Sequence, residues 1–120
     1  MYSITKPFHR YIDERGEILG IINTNTWEES NIIFSKKGSV RGKHYHKDTL
    51  ELIFLIDGEI RIRLVDLRTK VKKSVLLKKN QTILIEKFVY HEFEIIKKSK
   101  WINLLSKKFD KEKPDIHYIK

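Results

Sequence analysis

Four residues stand out for the chemistry their types allow: His44, His46, Glu51 and His91. Neutral imidazoles and a carboxylate together suit a first-row divalent metal such as Zn, Mn, Fe, Ni or Co, and four protein donors leave coordination positions open for a ligand. Alternation along a strand puts His44 and His46 on one face and Tyr45 on the other. His9 and His117 lack such company and read as surface residues. Trp27 and Trp101 read as core or interface residues. Tyr90, Glu86 and Lys43 lie near the candidate ligands in the chain, but each reads as structural or solvent-exposed, so no catalytic base is assigned.

These residues need a scaffold, and the pattern around them is one of strands. Short β-rich runs recur at Gly16 to Ile22, Ile32 to Phe34, Leu50 to Ile56, Ile60 to Val65, Ser74 to Leu77, Thr82 to Ile85, Phe93 to Ile96 and Trp101 to Leu105. Asp13-Glu14-Arg15-Gly16, Lys37-Gly38-Ser39, Asp57-Gly58 and Lys79-Asn80 separate them as turns. Many short strands with no helix between them predict an antiparallel sandwich or barrel. The two weakly helical stretches are Trp27 to Asn31 and the tail after Lys107.

Asp57-Gly58 reads as a two-residue type I′ hairpin turn, since both residues tolerate positive φ. That register sets Ile56 opposite Glu59, Leu55 opposite Ile60 and Ile53 opposite Ile62. One face then carries Glu51, Ile53, Leu55, Ile60, Ile62 and Leu64, a barrel interior with one carboxylate in it. A carboxylate there is costly unless paired or bound to a metal. The opposite face carries Leu52, Phe54, Ile56, Arg61 and Arg63. A small lone barrel would leave much of that face exposed, which predicts a homodimer.

Length and composition bound the rest. A chain of 120 residues allows one domain and can bury a core without disulfides. There is no cysteine, which excludes thiolate metal sites and cysteine nucleophiles. The longest apolar run, Leu52 to Ile56, is far too short to span a membrane. The first residues carry no apolar run of signal-peptide length, so the expected location is the cytoplasm. The formal charge of +9 favours anionic partners: nucleic acid, membrane headgroups or a phosphorylated small molecule. The lysines are dispersed, with few aromatics between them, and so do not favour nucleic acid.

The spacing of the site residues resembles the first motif of the cupin superfamily. Gly38, His44, His46, Glu51 and Gly58 meet that motif in full. The second motif is kept only at His91; its other slots hold Asn80, Glu86, Phe88 and Ile95. Arg41-Gly42-Lys43-His44 is similar to a motif of the cupin-type nucleotide-sugar 3,5-epimerases and 3,4-ketoisomerases. Asp13-Glu14-Arg15-Gly16, Val65-Asp66-Leu67-Arg68 and His91-Glu92-Phe93 are similar to the same group. Phe109 to Asp115 looks like the end of the cupin domain in capsular polysaccharide nucleotide-sugar epimerases.

The resemblance implies an all-β antiparallel jelly-roll barrel, a single domain over residues 1–120 with its core at about 30–105. It also implies a divalent metal on His44, His46, Glu51 and His91, and Arg41 as a substrate-binding residue that holds a diphosphate. In the 3,5-epimerases, which work without metal, the histidine matching His44 is the general base, and a lysine stands where Glu51 stands here. A metal-bound imidazole nitrogen has no free lone pair, so His44 is either ligand or base. Glu51 and the second imidazole favour the ligand. The expected activity is epimerisation or ketoisomerisation of a nucleotide-linked keto-deoxysugar for surface polysaccharide. Two alternatives stay open: another metal-cupin reaction (oxygenation or phosphosugar isomerisation), and non-catalytic binding of a small ligand.

Overall fold

The computed structural model describes residues 1–119. Those residues form nine strands: β1 (Tyr2–Thr5), β2 (His9–Asp13), β3 (Gly16–Gly20), β4 (Glu29–Ser35), β5 (Val40–His44), β6 (Glu51–Asp66), β7 (Lys72–Lys78), β8 (Thr82–Ile85) and β9 (Val89–Leu105). Among the described residues there is no helix, and so none long and apolar enough to cross a membrane. The stretch from Trp27 is irregular until Glu29 opens β4, and the tail beyond Lys107 is turns and extended chain. Helix is lost at the first place because Glu29 to Asn31 pair with the end of β9. Glu28 and Glu29 turn their carboxylates to the backbone N–H groups of Lys108 and Phe109, which ties the two segments together.

The long strands β6 and β9 run antiparallel to each other and organise the molecule. The first half of β6 pairs with β8, and its second half with β7. The first half of β9 pairs with β5, and its second half with β4. Both long strands therefore pass from one leaf of a folded sheet to the other, and the leaves enclose one core. Ile53, Leu55, Ile60, Ile62, Leu64, Leu77, Ile83, Ile85, Val89, Phe93, Ile95 and Trp101 fill it. Each such aliphatic side chain contributes about 1.5–3 kcal/mol by leaving water.

Asp57-Gly58 is not a hairpin turn. It lies inside β6, where the register against β9 shifts between Leu55 and Ile60. Gly58 has φ +106°, and a Cβ there would lie 2.6 Å from the Lys98 carbonyl oxygen and collide with Ser99. The residue is thus a bulge that bends the strand. The bulge shifts side-chain parity, so Glu51, Ile53 and Leu55 still share an inward face with Ile60, Ile62 and Leu64. Hairpin and bulge predict the same inward set, and differ in which strand lies next to β6.

The outer face also departs from expectation. Leu52 and Phe54 are buried within the single chain, beside Leu19, Ile21, Ile22, Ile102 and Leu104. Their exposure therefore does not argue for a dimer. Strands β1 and β2, absent from the sequence reading, are short and mostly exposed. The first extends the sheet beyond β8, and the second pairs only with β3 across the Asp13 to Gly16 turn.

Candidate metal centre

His44 closes β5, and Gly42 and Lys43 before it have φ +85° and +63°. These two positions form a bulge that seats His44 directly opposite His91 on β9. A Cβ on Gly42 would stand 2.8 Å from the His91 carbonyl oxygen and 3.2 Å from the Phe93 ring, so glycine lets the strands close up. Tyr45 turns away and stacks with Phe88 and His117, while His46 turns back beside His44. Glu51 opens β6 and points inward.

One ligand atom from each of His44, His46, Glu51 and His91 can be chosen so that all lie within 4.8 Å of one another. The hydrogen bonds settle which imidazole nitrogens face the centre. His46 Nδ1 donates to the Asp115 carbonyl oxygen at 2.6 Å, and His91 Nδ1 donates to the Val89 carbonyl oxygen at 3.0 Å. A carbonyl oxygen only accepts, so both rings carry a proton on Nδ1. Both Nε2 atoms are left facing Glu51 Oε1, at 3.1 Å from His46 and 3.3 Å from His91. The His91 contact is close but not aligned as a hydrogen bond, and that buried Nε2 has no partner. A carboxylate also only accepts, so the His46–Glu51 bond needs a second proton on that ring, which a bound cation would replace. The His91 lone pair faces the same carboxylate with nothing between them among the described residues. This donor set fits a divalent metal.

The electrostatics agree. Burial alone would raise the Glu51 pKa, but His46 and His91 beside it outweigh burial and hold the carboxyl below its ordinary range. Burial would likewise lower His46, yet the Glu51 contact and the Asp115 carbonyl raise it. His44 is pushed down to about 4, by burial first and then by the neighbouring His91 and His46. It is neutral at pH 7, the form in which an imidazole binds metal or accepts a proton.

A cavity of about 240 Å³ opens onto His44, His46 and Glu51, with Arg41, Phe93, Trp101 and Asn103 around it. Arg41 Nε donates to Ser35 Oγ at 3.0 Å, and Trp101 Nε1 donates to the same oxygen. A larger cavity of about 440 Å³ lies alongside, with four lysines in its wall, but only His46 of the candidate ligands reaches it. The smaller cavity is therefore the one that opens onto the candidate centre. Neither Tyr90, Glu86 nor Lys43 lines it. Tyr90 donates to Glu92, and Glu86 pairs with the N-terminal ammonium.

Asp115, Asn103 and His117 escaped the sequence reading. Asn103 Nδ2 donates to Glu51 Oε2 at 3.2 Å and occupies the carboxylate's other oxygen. His117 is no plain surface residue: it bridges Tyr45 through the backbone and meets Asp115 Oδ1 at 2.9 Å. The resemblance over Phe109 to Asp115 was the available signal for the tail, but it named no role.

Solved structures share this architecture. The dTDP-4-dehydrorhamnose 3,5-epimerase of Sulfolobus tokodaii superposes with a TM-score of 0.78 at 23% identity, covering 92% of this chain and 73% of that one. A 3,4-ketoisomerase from Helicobacter canadensis gives 0.78 at 23% identity, covering 96% and 88%. The TDP-quinovose 3,4-ketoisomerase of Campylobacter jejuni gives 0.82 at 19% identity, covering 98% and 92%. The shared fold is the antiparallel jelly-roll barrel of the cupins. No curated protein sequence matches the chain. Residues 11–117 match the family model described as polysaccharide biosynthesis C-terminal domain, a match over nearly the whole sequence. By that match, the chain belongs to the polysaccharide biosynthesis C-terminal domain family.

Proposed function

We propose that the chain is a metal-dependent epimerase or ketoisomerase of a nucleotide-linked keto-deoxysugar, acting in surface polysaccharide synthesis. The observation that carries this reading is the convergence of His44, His46, His91 and Glu51, with all but the fully buried His91 lining an open cavity. Support comes from the family and from a fold shared with 3,5-epimerases and 3,4-ketoisomerases. On this reading His44, His46, Glu51 and His91 hold a divalent cation. Bound there, the cation supplies Lewis-acid stabilisation for negative charge developing on a keto oxygen.

The chain's own residues do the remaining work. Glu51 offsets the cation's charge, with Asn103 holding its second oxygen. Phe93 and Trp101 form an apolar wall that shields the reacting carbons from water. Arg41 has its Nε engaged by Ser35, which leaves its outer N–H groups for a diphosphate. A base takes the proton from the carbon beside the ketone. Its return to the opposite face gives an epimer; a proton shift between neighbouring carbon and oxygen positions gives a ketoisomer. The same reading makes residues 1–120 one domain of a cytoplasmic homodimer. The partner surface would include Ile32 and Phe34, which are 60% and 69% exposed on β4.

A second reading has a specific observation in its favour. His44 is the least buried of the four residues and lines the cavity beside Arg41, where a metal-free enzyme would need its general base. One experiment separates the readings. Incubation with a nucleotide 4-keto-6-deoxysugar in deuterium oxide should place deuterium on the carbon beside the ketone. Under the metal reading, chelation abolishes the exchange and Glu51→Gln weakens it severely. Exchange that survives complete metal removal but is lost in His44→Asn selects the metal-free mechanism. No exchange with any keto-sugar tested rejects both and leaves oxygenation, phosphosugar isomerisation or ligand binding.

A further inference from the structure

The tail after β9 crosses the mouth of the barrel as a strap over residues 106–117, tied down at both ends. At its start, Phe109 N donates to Glu29 Oε1, and Asn31 Nδ2 donates to Glu29 Oε2, each at 2.9 Å. Asn31 Nδ2 also reaches Asn103 Oδ1, and Asn103 Nδ2 reaches Glu51 Oε2. At its end, Asp115 receives four hydrogen bonds on its carboxylate: Lys47 N and His117 Nε2 at 2.9 Å, and Asp48 N and Thr49 Oγ1 at 2.8 Å. Its carbonyl oxygen accepts a hydrogen bond from His46 Nδ1. A continuous circuit thus runs from Phe109 through Glu29, Asn31, Asn103, Glu51 and His46 to Asp115.

We propose that Asp115 is the positioning residue of this site: its carboxylate pins the turn 47–49, and its carbonyl fixes His46 with the proton on Nδ1 and Nε2 aimed at the ligand centre. The inference rests on the metal reading for its purpose, but the orientation of His46 can be measured without metal. His46 lies beyond the end of β5, where Phe88 N and the Tyr45–His117 bridge hold its backbone but leave the ring free to turn. Its ring has two nitrogens of nearly equal basicity, and a free imidazole exchanges its proton between them. The carbonyl of residue 115, at 2.6 Å, holds the proton on Nδ1 against the Glu51 oxygen that competes for it at 3.1 Å from Nε2. The carbonyl is held in place by the carboxylate of the same residue, anchored to the turn that follows His46, beside the backbone bridge between Tyr45 and His117. One residue therefore holds the ring twice, once directly and once through the backbone. His91 needs no such partner from elsewhere, since it sits inside β9 and donates to Val89 two residues away.

Three full-length proteins test this: wild type, Asp115→Ala, and Asp110→Ala. Asp110 belongs to the same strap, but its carboxylate accepts only from Glu112 N and Lys113 N and never reaches His46. Zinc affinity is measured by competition with a chromophoric chelator. Asp115→Ala should weaken it about 10–100-fold, the usual effect of losing an outer partner of a ligand, and Asp110→Ala should leave it within about twofold. Imidazole nitrogen NMR of the metal-free proteins, above the histidine titration range, gives the second readout. His46 should be a single Nδ1–H tautomer in wild type and Asp110→Ala, and a mixture in Asp115→Ala.

Equal weakening in both variants, or a single tautomer retained in Asp115→Ala, overturns the proposal. If wild type takes up no zinc, the metal reading fails and the nitrogen spectra alone decide the role of Asp115. Should Asp115→Ala fail to fold, Asp115→Asn replaces it. That variant keeps one acceptor oxygen for the turn, and intermediate affinity with a partly mixed tautomer supports the assignment. Wild-type values for both overturn it.

Discussion

At the scale of single residues, His44 and Arg41 make opposite demands on solvent. The metal-free His44 imidazole is neutral in the fold well below pH 6.5, because burial and two neighbouring imidazoles disfavour its charge. Its folded pKa of about 4 lies below the unfolded value of 6.5, so the unfolded chain binds more protons between those limits. Stability from this group is present above pH 6.5 and is lost as pH falls toward 4. Glu51 acts in the same direction at lower pH, since its folded pKa is also depressed. His46, whose pKa the Glu51 contact raises, acts in the opposite direction, so the His44 part is read by difference: relative to His44→Phe, chelator-treated wild type should lose urea resistance as pH falls from about 6.5 toward 4. An unchanged slope in the variant would show that His44 is not the group responsible. Arg41 keeps its guanidinium at the cavity edge. Calorimetric titration should find a nucleoside diphosphate binding about 10–100-fold more weakly to Arg41→Ala than to wild type, the loss expected for a charge-assisted hydrogen bond. The free nucleoside should not distinguish the two proteins. Equal diphosphate affinities would remove Arg41 from the binding role.

At the scale of elements, the bends in β6 and β9 let two long strands serve both leaves of the barrel. Gly58 carries the bend in β6, with a left-handed φ and no space for a Cβ against Lys98 and Ser99. Gly58→Ala should destabilise the fold by more than the ~1–3 kcal/mol that a strained backbone position alone costs. Gly16 is the internal comparison: its φ is +135° but nothing lies within 4 Å of an added Cβ. Gly16→Ala should show only the backbone part of the loss. Urea unfolding of the two variants measures the difference, and equal losses would mean that β6 relaxes around the added methyl. The strap is the other element that matters, since β5 and β6 deliver His44 and Glu51 while residue 115 governs His46.

At the scale of the whole molecule, one barrel leaves an apolar surface on its edge strand. Ile32 and Phe34 on β4 are exposed, and so are Tyr11, Ile12 and Ile18 on the β2–β3 hairpin, which pairs with no other strand. Association through the edge strand would also cover backbone groups that otherwise invite uncontrolled pairing. Sedimentation at micromolar concentration should give a dimer for wild type and a shift toward monomer for Phe34→Glu. A wild-type monomer would reject the dimer, and a dimer unaffected by the variant would move the interface elsewhere.

The donor set and the inward alternation of β6 were legible in the sequence because both are local. Side-chain parity along a strand needs no knowledge of the partner strand, and His-x-His with a following glutamate carries its own chemical meaning. Asp57-Gly58 was legible only as a place where the chain changes direction. Positive φ serves a hairpin and a bulge alike, and the choice lies with β9, more than thirty residues further on. Leu52 and Phe54 looked exposed because the segment that covers them, around Leu19 to Ile22, belongs to no repeating pattern with β6. Asp115 lay in a tail with a family resemblance, but nothing local marked its role, since an aspartate in a lysine-rich tail is ordinary. Only closure of the strap across sixty-nine residues brings its carbonyl to His46, and that contact decides which nitrogen the ring presents.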